Sequence, residues 1–522
     1  MQAKKIIIQA SPRADQVIIK TLAELNKARI DFFKQNDPTK FSRIALSRLF
    51  AIHLLEQEGD VSDDTLKKQF LEQQGNIASK EKGDVFEQIA EHALNLRADP
   101  DREFSIIARQ AINDISSIDK HLNYIDTELQ KIQSIKTQNG ILSTEKRYYR
   151  NKLEYYRAKN LNAQEEINKF LARNITAYTL ARCTSIQQPV TTMFARPDTP
   201  YPYAIGRLGG AFNYDVRYID ELSNKFLDLQ AGSHNEIRKL FNEDESEFFE
   251  FSKIYITGSE QYKDSVHLKI KRLIARSHIL HSRKEVIERL LDHYAKGDFL
   301  SFISMAALQI EGIFSDICQE LGISEKELDL SSLNRKLELI SGKMNFFLSY
   351  EYYAFHFPIL RNHVAHGELI HGNIERTSIM LMLDLLPACE LACSQEIPIN
   401  KRVTLMKSIL DHGRNEDILT WVSQNQQHIP DFYNKSNEVA RVEKLIDSDS
   451  FWAFMESSLK RDRLGKDSNL IRIAKKIARS GNSEARAKNF LKSSPRVISM
   501  GDEVRRASLE SAKELIKRLN QG

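Results

Sequence analysis

Apolar side chains recur at intervals of three and four residues along most of this chain. That period marks helices with one buried face, whereas strands alternate every second residue. Val17, Ile18, Leu22, Leu25, Ile30 and Phe33 open the series, and residues 42–57, 83–96 and 104–117 continue it. Ser62, followed by Thr65 and Leu66, reads as a further helix start. Ile6–Ile8 reads as a brief strand or merely an anchor. Over 117–173 the stretch is charge-rich, with Leu122, Ile125, Leu129, Ile132 and Ile135 on one seam; Asn139-Gly140 offers a turn, which predicts a helical hairpin. Residues 187–232 break the pattern with Pro189, Pro197, Pro200, Pro202 and the run Gly206–Gly210, and predict an ordered loop or short strands. Beyond them, helices are predicted over 283–296, 299–321, 333–341 and 374–392, with an aromatic run from Phe346 to Phe357 as core or dimer seam. Residues 400–424 and the tail from Asn437 are helical again.

The expectation is an all-α, multi-domain protein, because 522 residues exceed what one core usually serves. We divide the sequence into a helical domain (1–119), a hairpin arm (120–182), a loop-rich linking region (183–282), a helical bundle (283–396) and a basic helical region (397–522). Apolar content of 41% and charged content of 28% are ordinary for a globular chain, and a net charge of +4 is too small to argue a nucleic-acid partner without a clustered distribution. Four cysteines, Cys183, Cys318, Cys389 and Cys393, are too few and scattered for a disulfide framework. Cys389 and Cys393, one turn apart on an apolar face, read as buried thiols. The N-terminus has too short an apolar core for a signal peptide, and no apolar run approaches ~18 residues, so a cytoplasmic protein without a membrane span is expected.

The candidate chemistry lies between the aromatic run and the last bundle helix, in Pro358-Ile-Leu-Arg361-Asn362-His363-Val-Ala-His366-Gly367. Metal-free RNA cleavage by internal transfer removes a proton from the 2′-hydroxyl and gives one to the departing 5′-oxygen. An imidazole near its ordinary pKa of ~6.5 does either. A guanidinium fork stabilises the charge that builds on phosphorus. Pro358 suits a first helical turn and Gly367 the position just past the end, which places His366 at the terminus. At roughly 100° per residue, Arg361 and His366 stand about 140° apart around a regular helix. Bringing both to one phosphate needs a break in the helix or a second copy of it.

Arg361-Asn362-x-x-x-His366, with Gly367 after it, resembles the signature of the HEPN superfamily. The run Ala306 to Phe314 resembles the helix that precedes the signature in such domains, with Glu311 as its acidic residue. The resemblance spans roughly 283–394. Arg48/His53 and Arg276/His281 repeat the bare spacing without the Asn or the Gly and read as structural. The resemblance implies a dimerising helical bundle whose two motif copies meet in one cleft. His366 is then general acid or base, Arg361 stabilises the phosphorane, and Asn362 orients them. His363 and Glu311 are assisting candidates, Glu311 as the partner that holds Arg361. It further implies products with 2′,3′-cyclic phosphate and 5′-hydroxyl ends, no cofactor and no metal, and a toxin or phage-defence role against tRNA or other cellular RNA. The N-terminal part is then sensory or regulatory.

Weaker candidates surround this. Lys269, Lys271, Arg272 and Arg276 form a basic approach surface or only a linking helix. Between 460 and 496 twelve Lys or Arg face three acids, and Lys475, Lys476 and Arg479 are the RNA-backbone candidates there. Arg147-Tyr148-Tyr149-Arg150 and Tyr155-Tyr156-Arg157 read as a tyrosine-lined helix interface ahead of an RNA-stacking face. The acids of 235–251 read as a solvated helix face ahead of a cation site, and His371 as a loop residue. The competing readings of the whole chain are a non-catalytic scaffold or nucleotide-binding module, and a DNA-binding regulator that uses the basic tail.

Overall fold

Short polar side chains mark where the helices begin. The hydroxyls of Ser42, Ser143 and Ser332 accept from the amides of Ala45 (3.3 Å), Lys146 (3.4 Å) and Arg335 (3.3 Å), and the side-chain oxygen of Asn373 accepts from that of Arg376 (3.1 Å). Each satisfies an amide that the first turn cannot. The computed structural model describes residues 6–8, 18–20, 22–55, 57, 61–74, 84–134, 142–184, 214–260, 262–367, 373–424, 428–462, 464–480 and 483–519. The chain is all-α and multi-helical; beside its helices, Ile6–Ile8 pairs antiparallel with Ile18–Lys20. Ile18 therefore lies in a strand, and the first helix begins at Leu22 rather than at residue 17.

The chain separates into two units, Met1–Asp220 and Glu221–Gly522, with the boundary inside the segment read as loop-rich. In the first unit Phe32, Leu46, Phe50, Leu66 and Phe86 form a small core. The next helix, Pro100–Gln133, passes through residue 119 without interruption. Ala111, Ile118, Ile125 and Ile132 are buried at seven-residue spacing, so one continuous stripe crosses the place where a domain boundary was expected. That stripe packs on Thr144–Arg173, which makes the predicted hairpin. Its turn, Asn139-Gly140, lies outside the described residues, as do most of 187–232 with its glycine run, and His371. Tyr156 is buried in the hairpin seam, and the Tyr149 hydroxyl donates to Glu128 (3.2 Å). Tyr149, Tyr155 and Tyr156 thus serve helix packing.

In the second unit the central helix Phe299–Glu320 packs against the final bundle helix Ile374–Ala392, against Lys284–Ala295 and Leu333–Ser341, and against the short helix Phe357–Ala365 that carries the motif. Phe302, Ala306, Ile310, Ile313, Phe314 and Ile317 are completely buried along it. By length and composition this is the one described helix that could cross a membrane, which the run-length expectation overlooked; its span also carries the ion-paired Glu311 and Asp316. Gly312 makes room for a guanidinium: a Cβ there would collide with Arg283, which donates to Asp316 (2.6 and 2.9 Å) and to the Gly312 carbonyl (3.1 Å). Ala231–Glu243, Glu245–Thr257, Val266–Ile274 and His278–Ser282 precede this bundle, and helices from Pro398 to Glu484–Leu519 follow it.

Candidate active site at the end of the motif helix

The motif helix starts at Phe357 with Pro358 in its first turn, where proline's missing amide costs nothing. It ends at Ala365 with His366 as its cap. Gly367 follows with φ of 66°, a left-handed turn that glycine adopts without strain. The His366 amide still donates to the Asn362 carbonyl at 2.9 Å, so the helix is regular from Arg361 to its end. No break brings Arg361 and His366 together within one chain, and their separation around the axis stays at about 140°.

Arg361 is held by its neighbours. Its Nε and Nη2 lie 2.6 and 2.5 Å from Glu311 Oε2, and its Nη1 donates to Asn362 Oδ1 at 3.1 Å. Glu311 also takes the Lys336 ammonium, at 3.2 Å. The side chains of Glu311 and Lys336 are 14% and 12% exposed and that of Arg361 is 25% exposed, so the pair closes around the carboxylate and leaves part of the guanidinium in solvent. An arginine has five N–H donors. Among the described residues Glu311 engages Nε and Nη2, and Asn362 engages Nη1, which leaves one hydrogen on each Nη. Two such hydrogens are what a phosphate oxygen pair accepts. The carboxylate expected to need a partner in an apolar run has Arg361 as that partner. His363 is half-buried, whereas His366 is exposed, with no imidazole hydrogen bond recorded among the described residues.

The basic residues of 269–276 divide. Lys269 is only 11% exposed and its ammonium is bound to Asp228 and to the Tyr262 hydroxyl (3.1 Å) over the ring of Tyr255. Burial opposes its charge, but the Asp228 carboxylate outweighs that and holds the ammonium above its ordinary value. This lysine is a structural cation, not part of an approach surface. Arg272 is exposed and paired with Asp264, and Lys271 and Arg276 are exposed. In the tail, Lys475 and Arg479 are exposed, whereas Lys476 donates to the backbone carbonyls of Ser423 (3.4 Å) and Gln424. Three of the acids of 235–251 meet cations, Glu243 with Lys239 (3.8 Å), Glu250 with Lys253 (2.8 Å) and Glu245 with Arg376, and Asp244 accepts from the Glu247 amide (3.0 Å).

One polar cluster escaped the sequence reading. Lys225 and Asp384, 0% and 2% exposed, pair at 2.5 Å. Asn224 donates to Asp384 (3.0 Å), Lys225 donates to the Tyr352 hydroxyl (3.0 Å), and that hydroxyl donates to the second Asp384 oxygen (3.0 Å). Burial, with Asp384 beside it, pushes the Tyr352 phenol well above its ordinary range, so it stays a donor. His356, the residue between the helix Tyr350–Phe355 and the motif helix, stacks on the Tyr352 ring at 5.7 Å. The argument that found a partner for Glu311 applies equally to Asp384, an acid within Ile379–Ala388, and would have flagged it.

No protein-family model matches this chain, and no curated protein or solved structure matches it.

Proposed function

We propose that this chain is a metal-independent endoribonuclease of the HEPN type that cuts cellular RNA by 2′-hydroxyl attack, as a homodimer. The observation that carries the reading is an exposed imidazole at a helix end, five residues beyond an anchored arginine that keeps two donors for an oxyanion among the described residues. In this scheme His366 takes the proton from the 2′-hydroxyl or gives one to the 5′-oxygen. The Arg361 fork meets the phosphorane charge, and Glu311, Lys336 and Asn362 keep it in one orientation, so little reorganisation accompanies the reaction. The regular helix sends Arg361 and His366 in different directions, so the arginine of one copy works with the histidine of another across a two-fold axis. Toxicity or phage defence is the biological setting such an activity fits.

A second reading has its own support. Glu311 already occupies one edge of the Arg361 fork, as it would in an ion pair that only fastens the motif helix to the central helix. The bundle is then a non-catalytic scaffold. Purified wild type and His366→Ala, each incubated with total RNA in EDTA, separate the two. Cleavage by wild type alone, with cyclic-phosphate ends, supports the nuclease. Equal cutting by both proteins defeats it, and a stable dimer that cuts nothing favours the scaffold.

A further inference from the structure

The helices Asn469–Ser480 and Glu484–Leu519 pack on each other and hold an uneven share of the chain's charge. Residues 469–500 contain eight Lys or Arg and one acid, Glu484, so the remainder of a chain of net charge +4 is net acidic. In the first helix Leu470, Ile471, Ile473, Ala474 and Ile477 are buried, and Arg472, Lys475 and Arg479 are exposed on the opposite side. At roughly 100° per residue these three cations fall within about 60° of arc. In the second helix Ala487, Phe490 and Val497 are buried, while Lys492 and Arg496 stand exposed about 40° apart. None of the five meets a carboxylate among the described residues; Arg472 donates to the amide oxygen of Asn469 (2.7 and 3.1 Å). Their neighbours are paired: Arg486 reaches Asp447 and Asp449, and Lys488 reaches Glu484. Like charges three or four residues apart weaken a helix. A polyanion laid along them removes that repulsion and releases its own condensed counterions.

The rest of this surface narrows the chemistry of the polyanion. The other described residues exposed between 472 and 496 are Ser480, Glu484, Ala485, Lys488, Asn489 and Pro495. None is a large apolar or aromatic side chain. A membrane surface would need apolar anchors among the cations. Unpaired bases would need aromatic platforms to stack on. Cations without either suit phosphates whose bases are already stacked inward, as in a duplex. Base-paired RNA is held mostly through its shape, phosphates and 2′-hydroxyls rather than its base edges. We propose that this helix pair docks the sugar-phosphate backbone of a base-paired RNA stem, whatever its base sequence. The choice of RNA over DNA rests on the ribonuclease reading; the choice of a duplex backbone rests on the surface itself.

Fluorescence anisotropy of a labelled RNA stem-loop, titrated with full-length His366→Ala protein over a salt series, tests binding apart from cleavage. The stem-loop should bind saturably, and its affinity should fall steeply with salt. Adding Arg472→Gln, Lys475→Gln and Arg479→Gln together should cut the slope of log affinity against log salt by roughly two to three, at ~0.7–0.9 per phosphate contact. Lys492→Gln with Arg496→Gln should remove roughly one to two more. A control that removes the same charge from other helices, Lys401→Gln, Lys407→Gln and Lys444→Gln, should move the slope far less. All these side chains are exposed, so every variant should melt like its parent. Any of three results overturns the proposal: no binding of the stem-loop at low salt, a triple variant on Asn469–Ser480 that shifts the slope no more than the control, or equal or tighter binding by a DNA duplex of the same sequence or by phosphatidylserine vesicles. The nuclease reading is judged separately. Wild type that binds through this surface and never cuts refutes the nuclease alone, and wild type that cuts while the triple variant binds like its parent refutes the surface alone.

Discussion

Two acid–cation pairs of the second unit are built to opposite specifications. Lys225 and Asp384 are sealed, with Asn224 and Tyr352 satisfying what the ion pair does not. Glu311 and Arg361 are ajar: the carboxylate is enclosed while the guanidinium keeps a quarter of its surface and two donors outside. A closed network has nothing left to offer a substrate. A half-open one has a fixed charge and free valence together, which is the arrangement a phosphate site needs. The imidazoles repeat the contrast. His267 is packed edge-on against Tyr294 at 5.6 Å, while His366 stands exposed.

The largest expected effect tests the open side. His366→Ala and Arg361→Ala should each lower RNA cleavage by about 10²–10⁴-fold, read as initial rates on labelled RNA. The His366 variant should melt within about 0.5 kcal/mol of wild type, since the side chain is exposed. A large stability loss there would erase the contrast. On the sealed side, Lys225→Met leaves Asp384 buried without its cation and should cost about 3–5 kcal/mol in urea unfolding. A loss below 1 kcal/mol would mean that water reaches the pair.

A pH series sharpens the pairing of imidazoles. Burial, and then the Lys271 ammonium, push His267 down to about 4 from an ordinary 6.5. Between those values the unfolded chain binds a proton that the folded chain does not. The stability contributed is therefore complete above about pH 6.5 and drains away as pH falls toward 4, by about 3 kcal/mol in all. His267→Phe should flatten that part of the pH–stability curve. The smallest effect separates two neighbouring lysines. Lys271→Ala should lower the slope of log affinity for single-stranded RNA against log salt by about 0.7. Lys269→Ala should leave the slope alone and lower stability instead, because its charge is spent on Asp228.

What could be read in advance follows the range of the interaction. The motif helix was legible because its signals are local: Pro358 opens it, Gly367 closes it, and His366 falls between them. The helices 333–341 and 374–392 were legible to the residue from apolar spacing. Glu311 was legible because an acid in an apolar run announces a missing partner. Lys225 was not, because it lies 159 positions from Asp384 and follows a stretch whose prolines and glycines suggested only loop. Lys269 was misread because a count of cations cannot tell one facing solvent from one facing Asp228. The boundary expected at 119 followed a rise in charged residues, while the buried stripe Ala111, Ile118, Ile125, Ile132 passes through it unchanged.

The unbroken turn between Arg361 and His366 carries a consequence for dosage. If one chain cannot aim both groups at one phosphorus, catalytic power belongs to the encounter of two chains. Specific activity of such a nuclease would climb with protein concentration and fall away on dilution. A cell could then store the protein harmlessly at low copy number and arm it simply by gathering it.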